Sequence, residues 1–195
     1  MANSILLPVL SYGMSFEHID YSLTVSVDTN TYHDLIMSML NSIAEPGRFL
    51  VLINAHGGNS NMASVVEADY NYRHSDVKIY HRQLFSEKIY KLSKDLLGEF
   101  DTHAGSVEAS LLSYYNKQPK QAPTTNKDFI KPLPSALRFF RNAEIGSTGV
   151  IKGTDTINID PIAGQKIHEA IVKEMVTEIK SMSLKINKQI HKLQK

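Results

Sequence analysis

Two histidines and one glutamate stand where side chains can do chemistry. His56 sits in Asn54-Ala55-His56-Gly57-Gly58-Asn59, directly after the apolar run Leu50-Val51-Leu52-Ile53. His103 sits among small residues in His103-Ala104-Gly105-Ser106, shortly before Glu108. Imidazole and carboxylate are donors that zinc, iron and manganese accept. The same groups can also move a proton. On the residues alone both readings stay open, beside a plainer one of a helix-capping histidine and a solvated glutamate. The chain has no cysteine. Disulfides, thiolate metal sites and a cysteine nucleophile are therefore excluded, and a bound metal must draw on His, Asp and Glu.

These residues need elements to hold them. The run before Asn54 reads as a strand buried on both faces. The glycine pair after His56 allows a sharp turn and close approach to a ligand. From Ser60 the apolar positions Met62, Val65, Val66 and Ala68 predict a helix running to about Tyr72. The unit is strand, polar glycine loop, helix, and in open α/β sheets ligands sit at the carboxyl ends of strands. Val107, Leu111 and Leu112 predict a second helix starting near Gly105, with His103 just before it and Glu108 in its first turns.

Elsewhere the chain supplies the frame. Residues 5–10 read as a buried strand, followed by a polar loop that carries Tyr12, Glu17 and His18. Residues 23–27 alternate as a short strand. Asp28 or Thr29 caps a helix through Tyr32, Leu35, Ile36, Met39, Leu40 and Ile43, with His33 facing solvent and Pro46-Gly47 ending it. Residues 77–81 read as another strand, and residues 86–97 as a helix stopped by Gly98. Residues 118–134 read as a long surface loop, and residues 146–153 as a glycine loop without phosphate-loop spacing. The last helix carries Ile162, Ile167, Ala170, Ile171, Met175, Ile179 and Met182 on one stripe, and the lysine-rich end from about Lys185 reads as a solvated, fraying tail.

Composition bounds the class. At 195 residues, 42% hydrophobic and 21% charged, the chain fits one globular domain over residues 1–195. A net charge of +1 gives no electrostatic footprint for nucleic acid. No apolar run approaches the ~20 residues of a membrane span, and the start lacks a signal-peptide pattern. The expectation is a cytoplasmic protein without nucleic-acid or membrane partners.

Taken together, the segments resemble the creatininase family of metal-dependent amidohydrolases. Leu7-Pro8 with Tyr12-Gly13, then Glu17-His18, is similar to that family's "LPYG…EH" loop, and Thr24-Val25-Ser26 to its "GTISL" strand. Asn54 to Asn59 is similar to "NGHGGN". His103-Ala104-Gly105 with Glu108 and Ser110 is similar to "HAGExETS", with Ser106 in place of the first Glu and Ala109 in place of Thr. Gly149-Val150 falls where many members have "GV(I/M)GDP".

The resemblance implies a three-layer α/β/α sandwich on a mostly parallel sheet, often a homo-hexamer. It implies His56 as a metal ligand, His103 and Glu108 as catalytic residues, and Glu108 as the carboxylate ligand for a second metal. It makes Tyr12, Glu17, His18, Asn54, Gly57, Gly58 and Asn59 candidate substrate-binding residues. The cofactor is a divalent zinc, iron or manganese, binuclear in a complete site. The substrate is a small nitrogenous metabolite with a non-peptide C–N amide bond, cyclic or formyl. Gly58 stands where creatininase itself has a Glu, as in deformylase-like members, which speaks against creatinine.

One family element is not matched. Members begin with a strand ending in Glu-x-His-Gly, followed by an Asp, and this sequence contains no Glu-x-His. The sequence-level expectation is that an N-terminal strand, loop and helix are lacking, with several metal ligands. The alternative function is then a catalytically impaired relative serving as a binding or structural subunit.

Overall fold

The computed structural model describes residues 4–18, 24–98, 105–117 and 157–193, with side chains in the last helix described to residue 185. The chain divides into two units. One comprises Met1–Ser15, Val25–Leu84 and Lys173–Lys195, the other Phe16–Thr24 and Phe85–Val172.

In the first unit, Asp28 starts helix α1 (Thr29–Ile43). Its carboxylate accepts from the backbone N–H groups of Asn30 and Thr31, both at 3.1 Å, satisfying donors that a helix start leaves orphaned. The Thr31 hydroxyl also donates to it, and this bond above all holds the Asp28 carboxyl below the usual carboxylate range. Helix α1 buries Tyr32, Ile36, Met37 and Leu40, which share one face. Gly47, at φ +85°, turns the chain into strand β1 (Phe49–Asn54). A 3-10 turn over Gly57–Asn59 leads to helix α2 (Ser60–Arg73), and strand β2 (Lys78–Gln83) follows. The two strands are parallel, with Phe49 opposite Lys78 and Asn54 opposite Gln83. Tyr32, Ile36, Met37 and Leu40 meet Val66, Tyr70, Val77 and Ile79 in one core, joined by Met14, Val27, Leu50, Leu52 and Met62. Each fully buried apolar side chain there contributes about 1.5–3 kcal/mol.

In the second unit, the Ser86 hydroxyl accepts from the Ile89 N–H and caps helix α3 (Glu87–Leu97). Gly98, at φ +75°, closes it with a left-handed residue. Helix α4 (Ser106–Tyr114) buries Ser106 and Ser110 completely. Their hydroxyls accept from the Asn158 N–H at 2.9 Å and the Asp160 N–H at 3.1 Å, which replaces the water they lose. Asp160 in turn accepts from the N–H groups of Ile162 and Ala163 at the start of helix α5 (Pro161–Leu193). The last part of α5 belongs to the first unit. There Glu174 and Glu178 pair with the buried Arg82 guanidinium of β2 at 3.1 and 2.5 Å.

The expected helices at 29–43, 60–72 and 86–97, the helix from Gly105 and the strand near 77–81 are all present, within a residue or two. Other expectations change. Residues 5–10 form no strand: Ile5 is 90% exposed and Val9 87%. Residues 24–28 form none either, and Val25 is exposed. An apolar run becomes a strand only with a ladder of backbone partners, and the bond from the Val27 N–H to the Gly13 carbonyl does not make one. Strand β1 is not buried on both faces: Ile53 is 38% exposed, since pairing with β2 covers an edge of the strand and not a face. On α2 the buried stripe is Ala63, Val66 and Tyr70, while Val65 and Ala68 face outward. On α5 Ile162 is exposed and Ala163 is buried with Ile167 and Ile171, so the stripe starts one position later than expected. His33 is not a free surface side chain: its Nε2 lies 3.1 Å from Asp69 on α2, which ties the two helices. The backbone of α5 continues as helix to Leu193 instead of fraying at 185. The loops at 118–134 and 146–153 lie outside the described residues.

Candidate functional site

The loop that carries His56 is held from three directions, all within the first unit. Asn54, at the carboxyl end of β1, is only 5% exposed. Its side-chain Nδ2 donates to the His56 carbonyl at 2.8 Å, and its Oδ1 accepts from the His56 N–H at 3.3 Å. One carboxamide thus grips both backbone groups of His56. The residue itself is extended, at φ −120° and ψ 127°, just ahead of the Gly57–Asn59 turn. The Asn59 N–H donates back to the His56 carbonyl at 3.1 Å. The Leu84 N–H donates to the Asn54 carbonyl at 2.7 Å, anchoring the strand end below.

The second hold comes from the Tyr12-Gly13 loop. The Met14 N–H donates to Asn59 Oδ1 at 2.8 Å. A Cβ on Gly13 would lie 2.7 Å from the Asn59 side-chain amide, so only glycine allows this approach. The Gly13 carbonyl accepts from the Val27 N–H, and the Ser15 N–H donates to Ser26 Oγ. Two segments that the sequence singled out separately are therefore bound to each other through Asn59. Tyr12 itself is exposed, as is Gly57, while Gly58 is half-buried.

The third hold comes from β2. Asn54 Nδ2 also donates to Gln83 Oε1 at 3.0 Å, and Gln83 Nε2 lies 3.2 Å from His81 Nε2. The other ring nitrogen of His81 is 3.4 Å from the Ser64 hydroxyl. Burial, with the neighbouring Arg82 cation second, pushes the His81 imidazolium below its ordinary pKa. Burial likewise raises the Glu67 carboxyl. Burial and the Glu178 carboxylate, which accepts the Tyr80 hydroxyl at 2.5 Å, push the Tyr80 phenol up to about 12. Gln83, His81 and Ser64 carried no signal in the sequence. They join the site through strand register, since Gln83 lies opposite Asn54.

The remaining candidates lie in the second unit. Glu17 and His18 occupy a 3-10 turn over Phe16–His18, with Glu17 Oε1 3.7 Å from His18 Nε2. The Thr24 hydroxyl donates to the His18 carbonyl at 2.8 Å. Glu108 is half-buried in the first turn of α4, where its Oε2 accepts from the Gly105 N–H at 3.2 Å. It therefore caps the start of its own helix through the Gly105 N–H. His103 lies outside the described residues. Imidazole and carboxylate donors of the kind that hold a metal ion are thus present at Glu17, His18 and His56.

No curated protein sequence matches the chain significantly. The family model described as creatinine amidohydrolase, Creatininase, matches residues 1–179. That span includes each of the segments above, and the chain belongs to the creatininase family.

Proposed function

We propose that this protein is a metal-dependent amidohydrolase that cleaves a non-peptide C–N amide bond, cyclic or formyl, in a small nitrogenous metabolite. Family membership supports amidohydrolase-type chemistry. The observation that carries the finer reading is the grip on His56: a buried carboxamide fixes both of its backbone groups, so its imidazole leaves the strand end from a rigid base. In this reading His56 and, separately, Glu108 are offered as ligands for zinc, iron or manganese, one ion or two, as the family resemblance implies. When bound, such an ion lowers the pKa of water and polarises an amide carbonyl. His103 and Glu108 move the proton to the leaving nitrogen. Tyr12, Glu17, His18, Asn54, Gly57, Gly58 and Asn59 border the substrate, with Asn54 and Asn59 acting through the loop they hold. A cytoplasmic location and a homo-oligomer, hexameric by family resemblance, belong to the same reading.

The test is metal content and turnover of purified protein against a panel of lactams and formamides. His56→Ala and Glu108→Ala should each lower metal affinity by more than the ~10–100-fold that losing a supporting partner costs, and abolish turnover. Unchanged metal content and unchanged turnover in both variants would defeat the reading.

A further inference from the structure

We propose that Gln83 is a positioning residue that tethers the Asn54 carboxamide across the parallel strands and, through it, steadies the His56 loop. The functional consequence rests on the reading of His56 given above, but the geometry stands without it. Two groups at the start of the loop cannot change role. The His56 N–H can only donate and its carbonyl can only accept. Asn54 therefore must turn Oδ1 to the first and Nδ2 to the second, as observed at 3.3 and 2.8 Å. With its amide so set, the second Nδ2 hydrogen has two acceptors in reach, Gln83 Oε1 at 3.0 Å and the Ser60 hydroxyl at 3.4 Å, and Gln83 offers its oxygen as the nearer. That leaves Gln83 Nε2 toward His81 Nε2 at 3.2 Å, so this ring nitrogen must accept. The His81 proton then sits on Nδ1, facing the Ser64 hydroxyl at 3.4 Å. The lowered basicity of the half-buried His81 ring agrees with these roles. Strand register makes Gln83 the cross-strand partner of Asn54. A flipped Asn54 amide would set donor against donor at His56 and acceptor against acceptor, so His56 sets the orientation of the amide and the acceptor on Gln83 tethers it across the strands.

The experiment is amide hydrogen exchange of the segment spanning residues 54–60, with the α1 segment as internal control. Gln83→Leu removes the acceptor and should speed exchange at 54–60 at least tenfold, leaving α1 unchanged. Gln83→Glu keeps an oxygen for Asn54 Nδ2 and should stay within twofold of wild type. Wild-type protection in Gln83→Leu overturns the proposal. If Gln83→Leu does not fold, Gln83→Glu decides alone: wild-type protection at 54–60 supports the acceptor role, and a tenfold loss overturns it. Zinc titration of the same variants separates the two ideas. Should His56→Ala bind zinc as wild type does, the metal reading fails while the exchange result still judges Gln83.

Discussion

Gly13 has no room for a side chain, because the Asn59 amide occupies the place a Cβ would take, 2.7 Å away. Gly13→Ala must push Asn59 aside and break the Met14 N–H bond, at a cost of about 1–3 kcal/mol. In an Asn59→Ala background the same substitution should cost well under half as much, as chemical denaturation of the four proteins of the cycle would read. Equal costs in both backgrounds would mean that the close approach does not matter. Tyr80 yields a pH prediction. Its folded-state pKa, pushed up to about 12, exceeds the ordinary tyrosine value of 10. The fold thus favours the protonated phenol, and that contribution is complete below pH 10 and drains away as pH rises from 10 through 12. Wild type should lose stability relative to Tyr80→Phe across that window in urea melts. Parallel curves would refute it. The donor types at His56, Glu17, His18 and Glu108 were legible in the sequence. The pairing of Asn54 with Gln83 and of Gly13 with Asn59 was not, since each partner lies tens of residues away along the chain.

At the scale of elements, Gly164 lets the start of α5 lie directly against the backbone of α4. A Cβ at Gly164 would lie 2.1 Å from the Ser110 carbonyl oxygen, a backbone atom that cannot rotate away. Gly164→Ala should therefore cost about 3 kcal/mol or more, the upper range for overpacking, although Ala favours a helix by ~1 kcal/mol. A stabilised Gly164→Ala protein in thermal melts would show that the helices are not so close. The capped helices were readable in advance: Asp28 before α1, Ser86 before α3 and Gly98 after it act through near neighbours in sequence. So was the strand–loop–helix–strand order from β1 to β2. The strands read at 5–10 and 23–27 were not realised, because strand formation depends on a partner that the local sequence does not name. The one-position shift of the α5 stripe has a similar origin. Ala163 and Gly164 are small, and their burial is set by how near α4 comes, not by hydrophobicity.

For the whole molecule, the family match over residues 1–179 brings amidohydrolase-type chemistry, and no helix among the described residues is long and apolar enough to cross a membrane. Metal dependence has a global signature. A metal bound only to the folded chain stabilises it by about 2.7 kcal/mol at a hundred times its dissociation constant. For a chain of this size that is a rise in Tm of roughly 5–10 °C over chelator-treated protein. No shift with zinc, iron or manganese would count against the metal reading. By itself the sequence determined the donor set, the glycine-bounded loop, the capped helices and the family, because each depends on residue type and short-range order. Only the tertiary structure decided how His56 is held: Asn54 set against Gln83 across parallel strands, and Asn59 closed over Gly13. Those contacts depend on register and close approach between distant segments, which no local pattern of residues specifies.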